Sequence, residues 1–471
     1  MRLAIVGGGL GGLMTAYFIQ KFWPGAPTPT IFEASARLGG KISTRSFESV
    51  SAHYEAGVAE LYDYSMHGED PLRDLVDVLG LKTIPMPGGC VVIGDAILNT
   101  RDDLRKSFGP ATAKAVDDFY RKCHLLCPTL DFFADDWQVD NSHAWSSRTL
   151  RELFDEIPDD TARQYIEVMS RSDVASEPHL TSGVSGIKDI LMEDGEYMGV
   201  YSVEGGIERL VDGLRGRINA KVELETPVVS VARTEIGSYR LTIRHKHRNE
   251  TREFDVVVFA LPNYWLARIG WENGDLRAAM NKHLAHYDRP AHYLRVTLLF
   301  KEPFWRNKIA GSYFMLDAFG GCCVYDETAR HPHPSHGVLG WLIAGNDALS
   351  LSNLADADLI KLALDSLPQP LAIGRELYLE GRVHRWVGTV NALPGGNPIH
   401  DLKTRHSPSA ADPNLFVAGD YLFDSTLNGA VDSAEFVAES IDEEFGEDEL
   451  TLPNAADAAP LSAMGEERAS T

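Results

Sequence analysis

A glycine-rich segment at the start of the chain, Leu3 to Gly12 (LAIVGGGLGG), limits the possible folds more than any other stretch. An apolar run ends there in glycines spaced G-x-G-x-x-G, at Gly7, Gly9 and Gly12. Gly7 lets the chain turn sharply out of a strand, Gly9 lets the backbone approach a pyrophosphate, and Gly12 lets the next helix pack on the sheet. The helix predicted from Leu13 to Phe22 points its N-terminus at the phosphates, where free amides favour an anion. The segment therefore predicts a dinucleotide-binding α/β unit.

An acidic residue downstream narrows the choice of nucleotide. A second apolar run, Thr30 to Phe32, ends in Glu33, at the distance from the glycines where a carboxylate accepts a hydrogen bond from a ribose hydroxyl. Like-charge repulsion disfavours NADP, whose ribose carries a phosphate. The glycine pattern by itself remains compatible with NAD as well as FAD.

Composition excludes several classes of partner. The chain has 471 residues, of which 44% are hydrophobic, enough for two or three domains with sizeable cores. Its formal net charge of −24 repels nucleic acid and anionic lipid. No apolar stretch approaches the roughly 18 residues that span a bilayer, and the first strand follows Met1 and Arg2 directly, without room for a signal peptide. We expect a cytoplasmic protein with no membrane span that does not bind nucleic acid.

The cysteines and histidines do not predict a metal centre. Five cysteines suit no disulfide framework, and Cys123 and Cys127 lack the C-x-x-C spacing of a redox or zinc site. Buried free thiols are therefore expected. The run His331 to His336 (HPHPSH) offers metal ligands, but its two prolines favour a surface loop.

Sequence periodicity indicates interleaved segments. Helical patterns from Leu72 to Leu81 and from Asp102 to Cys127 predict a helical insertion. Short strands follow from Val222, and the β-branched run from Asp255 to Ala260 predicts a strand that is buried on both faces and returns to the nucleotide sheet. After Phe445 the acidic tail has too few large apolar groups to offset the entropy of ordering.

Separated motifs along the chain resemble those of the flavin-containing amine oxidase superfamily, which includes protoporphyrinogen oxidases and phytoene-type desaturases. Glu33 to Lys41 (EASARLGGK) is similar to the ExxxRxGGR segment of the family. Tyr54 to Glu60 (YEAGVAE) looks like the loop beside the flavin, and Glu225 to Val228 (ETPV) like the strand that meets adenine. Val417 to Ala438 (VAGDYLFDSTLNGAVDSAEFVA) resembles the closing motif.

The resemblance implies an α/β fold with a Rossmann-like FAD-binding domain and an interleaved mixed α+β substrate-binding domain. The FAD-binding domain is expected to be discontinuous, at 1–60, 200–285 and 390–445. The substrate-binding domain, with the helical insertion, is expected at 61–199 and 286–389, and a disordered acidic tail at 446–471.

The resemblance also assigns the cofactor, FAD, and the residues that bind it. Arg37 and Lys41 would lie near the adenosine and pyrophosphate, and Val228 would pair with adenine through its backbone. Asp420 would hydrogen-bond the ribityl chain, and Gly57 would allow a close approach to the flavin. The full set is Gly7, Gly9, Leu10, Gly11, Gly12, Glu33, Ala34, Arg37, Gly39, Gly40, Lys41, Ala56, Gly57, Val58, Ala59, Val228, Gly419, Asp420, Leu427 and Asn428.

The two candidate catalytic residues are Arg295, which departs from the family pattern, and Trp386, whose stretch from His384 to Gly396 looks like the W-x-x-x-x-P segment of the desaturase and protoporphyrinogen oxidase branch with a longer spacing. Arg295 stands where the oxidases carry a lysine that holds a water against the flavin. An arginine keeps the positive charge but cannot shuttle protons at ordinary pH. Stabilisation of reduced flavin and a structural salt bridge are both open roles for it. Trp386 either lines the pocket or belongs to the core.

Three expected substrate-binding residues are Glu60, Gly388 and Thr426. Gly388 and Thr426 occupy the positions of the two tyrosines that flank the substrate in monoamine oxidases. Val387 stands where those enzymes have the cysteine that binds flavin covalently, so the resemblance implies noncovalent FAD.

These features predict an FAD-dependent oxidoreductase that transfers hydride from a substrate C–H, most favourably next to an amine, to the flavin. Dioxygen would then reoxidise the flavin and release hydrogen peroxide. The alternatives are a desaturase acting on carbon–carbon bonds of a larger hydrophobic or heterocyclic metabolite, and a non-catalytic flavoprotein. The expected partners are a small-molecule substrate and dioxygen, and a homodimer is an open option.

Overall fold

The structure is a computed structural model that describes residues 1–133, 143–192, 194–245, 248–330, 336–391, 400–423 and 425–446. The predicted disordered tail after residue 446, and residues 331–335 of the histidine-proline run, lie outside this range. The strands are β1 Leu3–Val6, β2 Thr30–Phe32, β3 Thr44–Ser46, β4 His53–Glu55, β5 Leu61–Asp63, β6 Thr83–Pro85, β7 Cys90–Ile93, β8 Ala96–Leu98, β9 Gly199–Val203, β10 Lys221–Glu223, β11 Val228–Arg233, β12 Tyr239–His245, β13 Arg248–Phe254, β14 Val256–Phe259, β15 Gly270–Trp271, β16 Pro290–Phe300, β17 Tyr313–Leu316, β18 Cys322–Asp326, β19 Gly337–Ala344, β20 Tyr378–Asn391 and β21 Leu415–Val417.

The helices alternate with these strands along the chain. They are α1 Leu10–Phe22, α2 Pro71–Val78, α3 Arg101–Phe108, α4 Pro110–Leu126, α5 Thr129–Phe133, α6 Leu150–Phe154, α7 Asp160–Val174, α8 Gly183–Leu191, α9 Glu208–Arg215, α10 Asn263–Leu266, α11 Gly274–His286, α12 Gly345–Leu351, α13 Asp356–Asp365, α14 Gly374–Leu377, α15 Leu402–His406 and α16 Leu427–Phe445.

A five-stranded parallel sheet with the order β10-β2-β1-β14-β21 forms the layer that is predicted to bind the nucleotide. Every residue of β1 and β14 is buried, because both faces of the sheet are covered. One face packs against α1, α9 and α16, and the other against the sheet β13-β12-β11-β15. The predicted return of the β-branched run to this sheet is confirmed.

A seven-stranded sheet with the order β20-β16-β19-β18-β17-β7-β8 forms the second large layer. Its inner face packs with α4, α7 and α8 of the predicted helical insertion, and its other face with α12 and α13. Because side chains of a strand alternate between the two faces, Cys323 joins the helical core while its neighbour Cys322 joins the opposite one.

Two parts of the predicted helical insertion differ in detail from the expectation. The pattern from Asp102 to Cys127 forms two helices, α3 and α4, because Gly109 between them has φ of 93° and Pro110 follows it. The first predicted helix, α2, packs its apolar side chains into the core of the nucleotide layer beside α16. The predicted domain boundary at residue 61 stays a prediction.

All five cysteines are buried and none forms a disulfide, as expected, and burial raises the pKa of Cys90, Cys123 and Cys127 to about 12. Such thiols are inert at neutral pH. Within the described ranges, no group of three or more potential ligands could hold a metal ion. No helix in this part of the chain is long and apolar enough to cross a membrane.

Candidate active site

The glycine-rich segment forms a narrow cradle between β1 and α1. A Cβ on Gly7, whose φ is +114°, would stand 2.3 Å from the carbonyl oxygen of Ala260, and a Cβ on Gly12 would stand 2.0 Å from that of Gly7. A Cβ on Gly9 would meet only the Cα of Gly40, at 3.8 Å. The space in front of Gly9 is therefore open, and the bare start of α1 can receive a pyrophosphate.

At the start of helix α1, no side chain caps the backbone amides. Gly9 is its N-cap and provides no side-chain hydrogen bond, and the first turn, Leu10 to Gly12, contains no acidic residue. This arrangement leaves the positive end of the helix available to an anion. The predicted roles of Leu10 and Gly11 are compatible with this geometry.

Glu33 fastens the glycine segment to the end of β2. Its Oε2 accepts a hydrogen bond from Gly8 N at 2.8 Å, and its Oε1 accepts one from Ser35 N at 2.8 Å. A carboxylate has about four acceptor positions, so Glu33 keeps capacity for a ribose hydroxyl. The next residue, Ala34, is exposed. Nearby, Thr226 N donates to Glu33 O at 2.8 Å, which brings the chain that leads into Val228 and β11 to the same end of the site.

Arg37 shapes the loop that crosses the cradle. Its guanidinium donates to the carbonyl oxygens of Leu38 at 3.0 Å, Ile42 at 2.8 Å and Gly40 at 2.6 Å. Burial lowers the pKa of Arg37. Gly39 ties the same loop to the cradle, because Gly39 N donates to Gly8 O at 2.8 Å. Arg37 thus holds backbone in place, and its predicted role toward adenosine and pyrophosphate stays a prediction.

Lys41 and Asp420 connect the first and last motifs of the chain. Lys41 Nζ forms an ion pair with Asp420 Oδ2, although the two residues are 379 positions apart. The side chains are 22% and 9% exposed. Gly419, before Asp420, donates its amide to Ser433 Oγ at 2.9 Å. Both ends of the predicted FAD site therefore meet at one point.

A cavity of about 930 Å³, counted with its mouth, opens beside this ion pair. Its wall is formed by Lys41, Gly57, Val58, Ala59, Glu60, Leu61, Tyr62, Ser172, Asp173, Asp189, Met192, Tyr293, Arg295, Tyr325, Leu342, Trp386, Thr389, Val390, Asp420, Ser425, Thr426, Leu427 and Asn428. It thus brings together eleven residues that the sequence predicted for binding or catalysis, since Lys41, Gly57, Val58, Ala59, Glu60, Arg295, Trp386, Asp420, Thr426, Leu427 and Asn428 all line it.

The loop at Gly57 passes too close to Lys41 for any side chain. A Cβ on Gly57 would stand 1.9 Å from Lys41 O, and Val58 N donates to the same oxygen at 3.1 Å. Trp386 Nε1 donates to Ala56 O at 2.6 Å. Trp386 is half-buried, so it lines the cavity and supports this loop without belonging to the core.

The start of α16 forms another part of the cavity wall. Thr426 is the N-cap, and its Oγ1 accepts a hydrogen bond from Gly429 N at 3.2 Å. Leu427 begins the helix, and Asn428 Nδ2 donates to Asp70 Oδ1 at 3.2 Å. The helix N-terminus therefore borders the cavity, because Thr426, Leu427 and Asn428 all line it.

Gly388 is not among the residues that line this cavity, and the substrate-binding role expected for it stays a prediction. The pairing of β16 with β20 shifts register between Ala291 and His292, opposite Val387 to Val390. Within this bulge Gly388 takes φ of +67°, and a Cβ there would stand 3.1 Å from the ring of Tyr264. The bulge turns Gly388 away from the cavity, while Thr389 after it reaches the wall.

Arg295 is held in a buried ion pair. Its Nη2 donates to Glu327 Oε1 at 2.5 Å, its Nη1 donates to Gly57 O at 3.1 Å, and its side chain is 1% exposed. Burial lowers the pKa of Arg295. Its Nε is buried and has no hydrogen-bond partner within the described residues. The salt bridge considered for Arg295 is therefore present, in a residue that also lines the cavity.

Besides Asp420, which pairs with Lys41, three carboxylates line the cavity, namely Glu60, Asp173 and Asp189, and we refer to these three as the acidic cluster. Glu60 Oε1 accepts hydrogen bonds from Tyr62 OH at 3.1 Å and Tyr325 OH at 3.0 Å. Burial raises the pKa of Glu60. Burial is the main cause that raises the pKa of Tyr293, and the charges of the acidic cluster raise it further. The three carboxylates therefore lie around the Tyr293 ring.

Sequence reasoning missed several of these residues. Asp173 and Asp189 come from α7 and from α8, and Tyr325 from β18, so only tertiary packing joins them. Glu327, the partner of Arg295, follows 32 residues later. Tyr293 could have been found from the sequence. It lies two residues before Arg295 on β16, so the two side chains point to the same face of the sheet.

Comparisons with known proteins show the family and the fold of the chain. The sequence profile of flavin containing amine oxidoreductases matches residues 10–442. Flavin-containing amine oxidase A of Equus caballus is 22% identical over 359 residues, which are 73% of this chain and 64% of that protein, so just under two thirds of that relative is spanned.

Solved structures share the fold. A double mutant of putrescine oxidase gives a TM-score of 0.75 at 19% identity, covering 94% of this chain and 99% of that one. Cyclohexylamine oxidase from Brevibacterium oxydans gives 0.71 at 17% identity, with the same coverage. The predicted resemblance and fold class are confirmed. Because the profile runs through almost the entire described chain, this protein belongs to the family of flavin containing amine oxidoreductases, and its cofactor is FAD.

Proposed function

We propose that this protein oxidises a small amine. Bound FAD supplies a hydride acceptor. The substrate loses a hydride from the carbon next to its nitrogen and a proton from the nitrogen, and the resulting imine is hydrolysed to a carbonyl compound. Dioxygen takes up the two electrons and is released as hydrogen peroxide. Two of the structural neighbours are a putrescine oxidase and a cyclohexylamine oxidase, which supports an amine as substrate.

The observation that carries this proposal is the charge of the cavity wall. The acidic cluster contributes three carboxylates, and no ion pair joins Glu60 to a basic residue within the described part of the chain. The two cationic residues of the wall, Lys41 and Arg295, already pair with Asp420 and Glu327. A cation therefore complements this wall better than an anion or a neutral hydrocarbon.

Glu60 is the group we assign to binding the amine. Its Oε1 is fixed by two tyrosine hydroxyls, which orients the carboxylate in the cavity. Its raised pKa makes it a stronger base than an ordinary carboxylate, so it can hold the ammonium form and take the proton that must leave before hydride transfer.

An amino-acid substrate fits less well. The only arginine on the described cavity wall, Arg295, is already paired with Glu327, and binding a substrate carboxylate would break that buried pair. A desaturase acting on carbon–carbon bonds is the alternative function. The bulge at Gly388 and the threonine at 426 favour it, because neither places an aromatic ring beside the flavin.

Anaerobic mixing of the FAD-loaded protein with monoamines, diamines, amino acids and polycyclic metabolites tests these choices. Bleaching of the flavin band by monoamines or diamines, followed by peroxide release in air, is the expected result. Bleaching only by conjugated carbon substrates would instead establish the desaturase. A cytoplasmic location and a homodimer remain predictions.

A further inference from the structure

Three buried charged side chains meet at the cavity: Arg295 lines its wall, and Glu327 and Arg330 lie outside the lining residues. Glu327, in the short helical turn Glu327–Arg330, receives Arg295 Nη2 on Oε1 at 2.5 Å and Arg330 Nη1 on Oε2. Its Oε2 also accepts Glu55 N at 3.0 Å. The three side chains are at most 3% exposed. Glu327 is thus the common acceptor for two arginines that water cannot reach.

Both arginines end on the loop that borders the cavity. Arg295 Nη1 donates to Gly57 O at 3.1 Å, and Arg330 Nη2 donates to Ala59 O at 2.6 Å. Gly57 and Ala59 line the cavity on either side of Val58. The charged group therefore reaches the cavity through two backbone carbonyls that are two residues apart.

Strand β19 leaves space for this arrangement. A Cβ on Gly340 would stand 2.7 Å from Glu327 Oε1 and 3.0 Å from Arg295 Nη2. A glycine at this point of a well-paired strand costs stability, and close approach of another group explains it. The contact between Arg295 and Glu327 depends on that bare backbone.

We propose that Glu327 is a positioning residue, which holds Arg295 against the Gly57 loop and reduces the positive charge that Arg295 presents to the flavin. Together the three side chains carry one net positive charge. Replacing Glu327 with a neutral residue raises it to two, because an arginine stays protonated in proteins. The extra charge would favour any anionic form of the flavin. The inference rests on FAD as the cofactor and is independent of the amine substrate.

Sulfite titration of the FAD-loaded protein measures this charge directly, because sulfite adds to oxidised flavin, bleaches it and leaves a negative charge on it. Glu327→Gln is expected to bind sulfite about tenfold more tightly than the parent. Asp326→Asn is the matched control, because Asp326 is the buried neighbour paired with Arg306 at 2.9 Å, outside the cavity wall. It should leave the sulfite dissociation constant unchanged within about twofold.

The double variant Glu327→Gln with Arg330→Gln still tests the proposal if the single variant is unstable. It removes one charge of each sign, so it should retain FAD and return sulfite affinity toward the parent. Retention of FAD by the double variant when the single variant loses it would also support the proposal. Parent-like sulfite affinity in Glu327→Gln, or loss of FAD in both variants, would overturn it.

Discussion

Glu60 brings a carboxylate to the cavity wall, where the hydroxyl groups of Tyr62 and Tyr325 contact it. Two hydroxyls reach its Oε1 at 3.1 Å and 3.0 Å, and no basic side chain within the described residues makes an ion pair with it. A carboxylate in such a place is costly unless a cation joins it. The proposed cationic substrate would therefore account for a carboxylate at this position.

Glu60→Gln should weaken amine binding more than it weakens the cofactor site. The amide keeps the shape and one acceptor but loses the charge, so KM for an amine should rise about tenfold or more. FAD affinity should remain the same. Glu69→Gln removes an exposed carboxylate nearby and serves as the control in the same steady-state assay. A KM that rises equally in both variants would contradict the assignment.

The pH dependence of amine binding provides an independent measurement at this residue. Burial raises the pKa of Glu60, so the carboxylate is lost at a higher pH than an ordinary glutamate would be. Apparent amine affinity should fall as pH decreases through that raised pKa. The KM profile against pH should lose this acidic limb in Glu60→Gln; its persistence there would assign the limb to another group.

Gly57 allows a matched comparison between two glycines. Gly57→Ala places a methyl 1.9 Å from Lys41 O, whereas Gly68→Ala finds no atom within 4 Å. The first should cost about 1–3 kcal/mol of unfolding free energy and weaken FAD binding, because overpacking moves the backbone. The second should stay within about 0.5 kcal/mol. Urea unfolding and FAD titration of both variants check this, and equal effects would be inconsistent with the close contact.

At the scale of single elements, local patterns were enough to predict β1, α1 and the return of β14. Their glycines and β-branched residues each satisfy a constraint within one strand or turn. The acidic cluster was not predictable in this way, because Asp173 and Asp189 belong to α7 and α8. Which side of these helices faces the cavity depends on packing against the seven-stranded sheet, which no local pattern specifies.

Helix α15 supports the closing motif through a buried histidine. His406 lies 3.0 Å from Ser433 Oγ through Nε2 and 2.7 Å from Leu402 O through Nδ1. Ser433 Oγ also accepts a hydrogen bond from Gly419 N at 2.9 Å. The serine hydroxyl can donate its own proton to His406 only when Nε2 is unprotonated. Burial lowers the pKa of His406 to about 3.

Two such histidines should make the protein sensitive to mild acid. Burial lowers the pKa of His283, which lies against Tyr421, to about 3 as well. Below pH about 6.5 these histidines bind protons in the unfolded chain but not in the native protein. The free energy of unfolding therefore falls by about 1.4 kcal/mol per pH unit for each histidine. The loss should begin near that pH and continue toward pH 3.

Urea unfolding between pH 7 and pH 4.5 measures this slope. His406→Gln should reduce it by about 1.4 kcal/mol per pH unit, whereas His67→Gln, at an exposed site, should not change it. An unchanged slope in His406→Gln would mean that other groups cause the acid sensitivity.

Across the whole molecule, the predicted cofactor site is assembled from segments that are far apart in sequence. Lys41 meets Asp420, Ala56 meets Trp386, and Gly57 meets Arg295. The motifs indicated which segments participate, because each carries a glycine or an acid at a characteristic place. They could not indicate Glu327, because a buried counter-ion needs only a suitable position and no local signature.

Such an assembly should depend on FAD for stability without a covalent bond to it. None of the five cysteines lines the cavity, so no thiol is in place to attach the flavin. Acid precipitation should therefore release all yellow colour into the supernatant, and colour retained in the pellet would contradict noncovalent binding.

FAD at 100 times its dissociation constant should stabilise the apoprotein by about 2.7 kcal/mol. Thermal unfolding should show smaller shifts with ADP, which can occupy only the glycine cradle, and with FMN, which lacks the adenosine half. Equal shifts with FMN and FAD would mean that the cradle contributes nothing to binding.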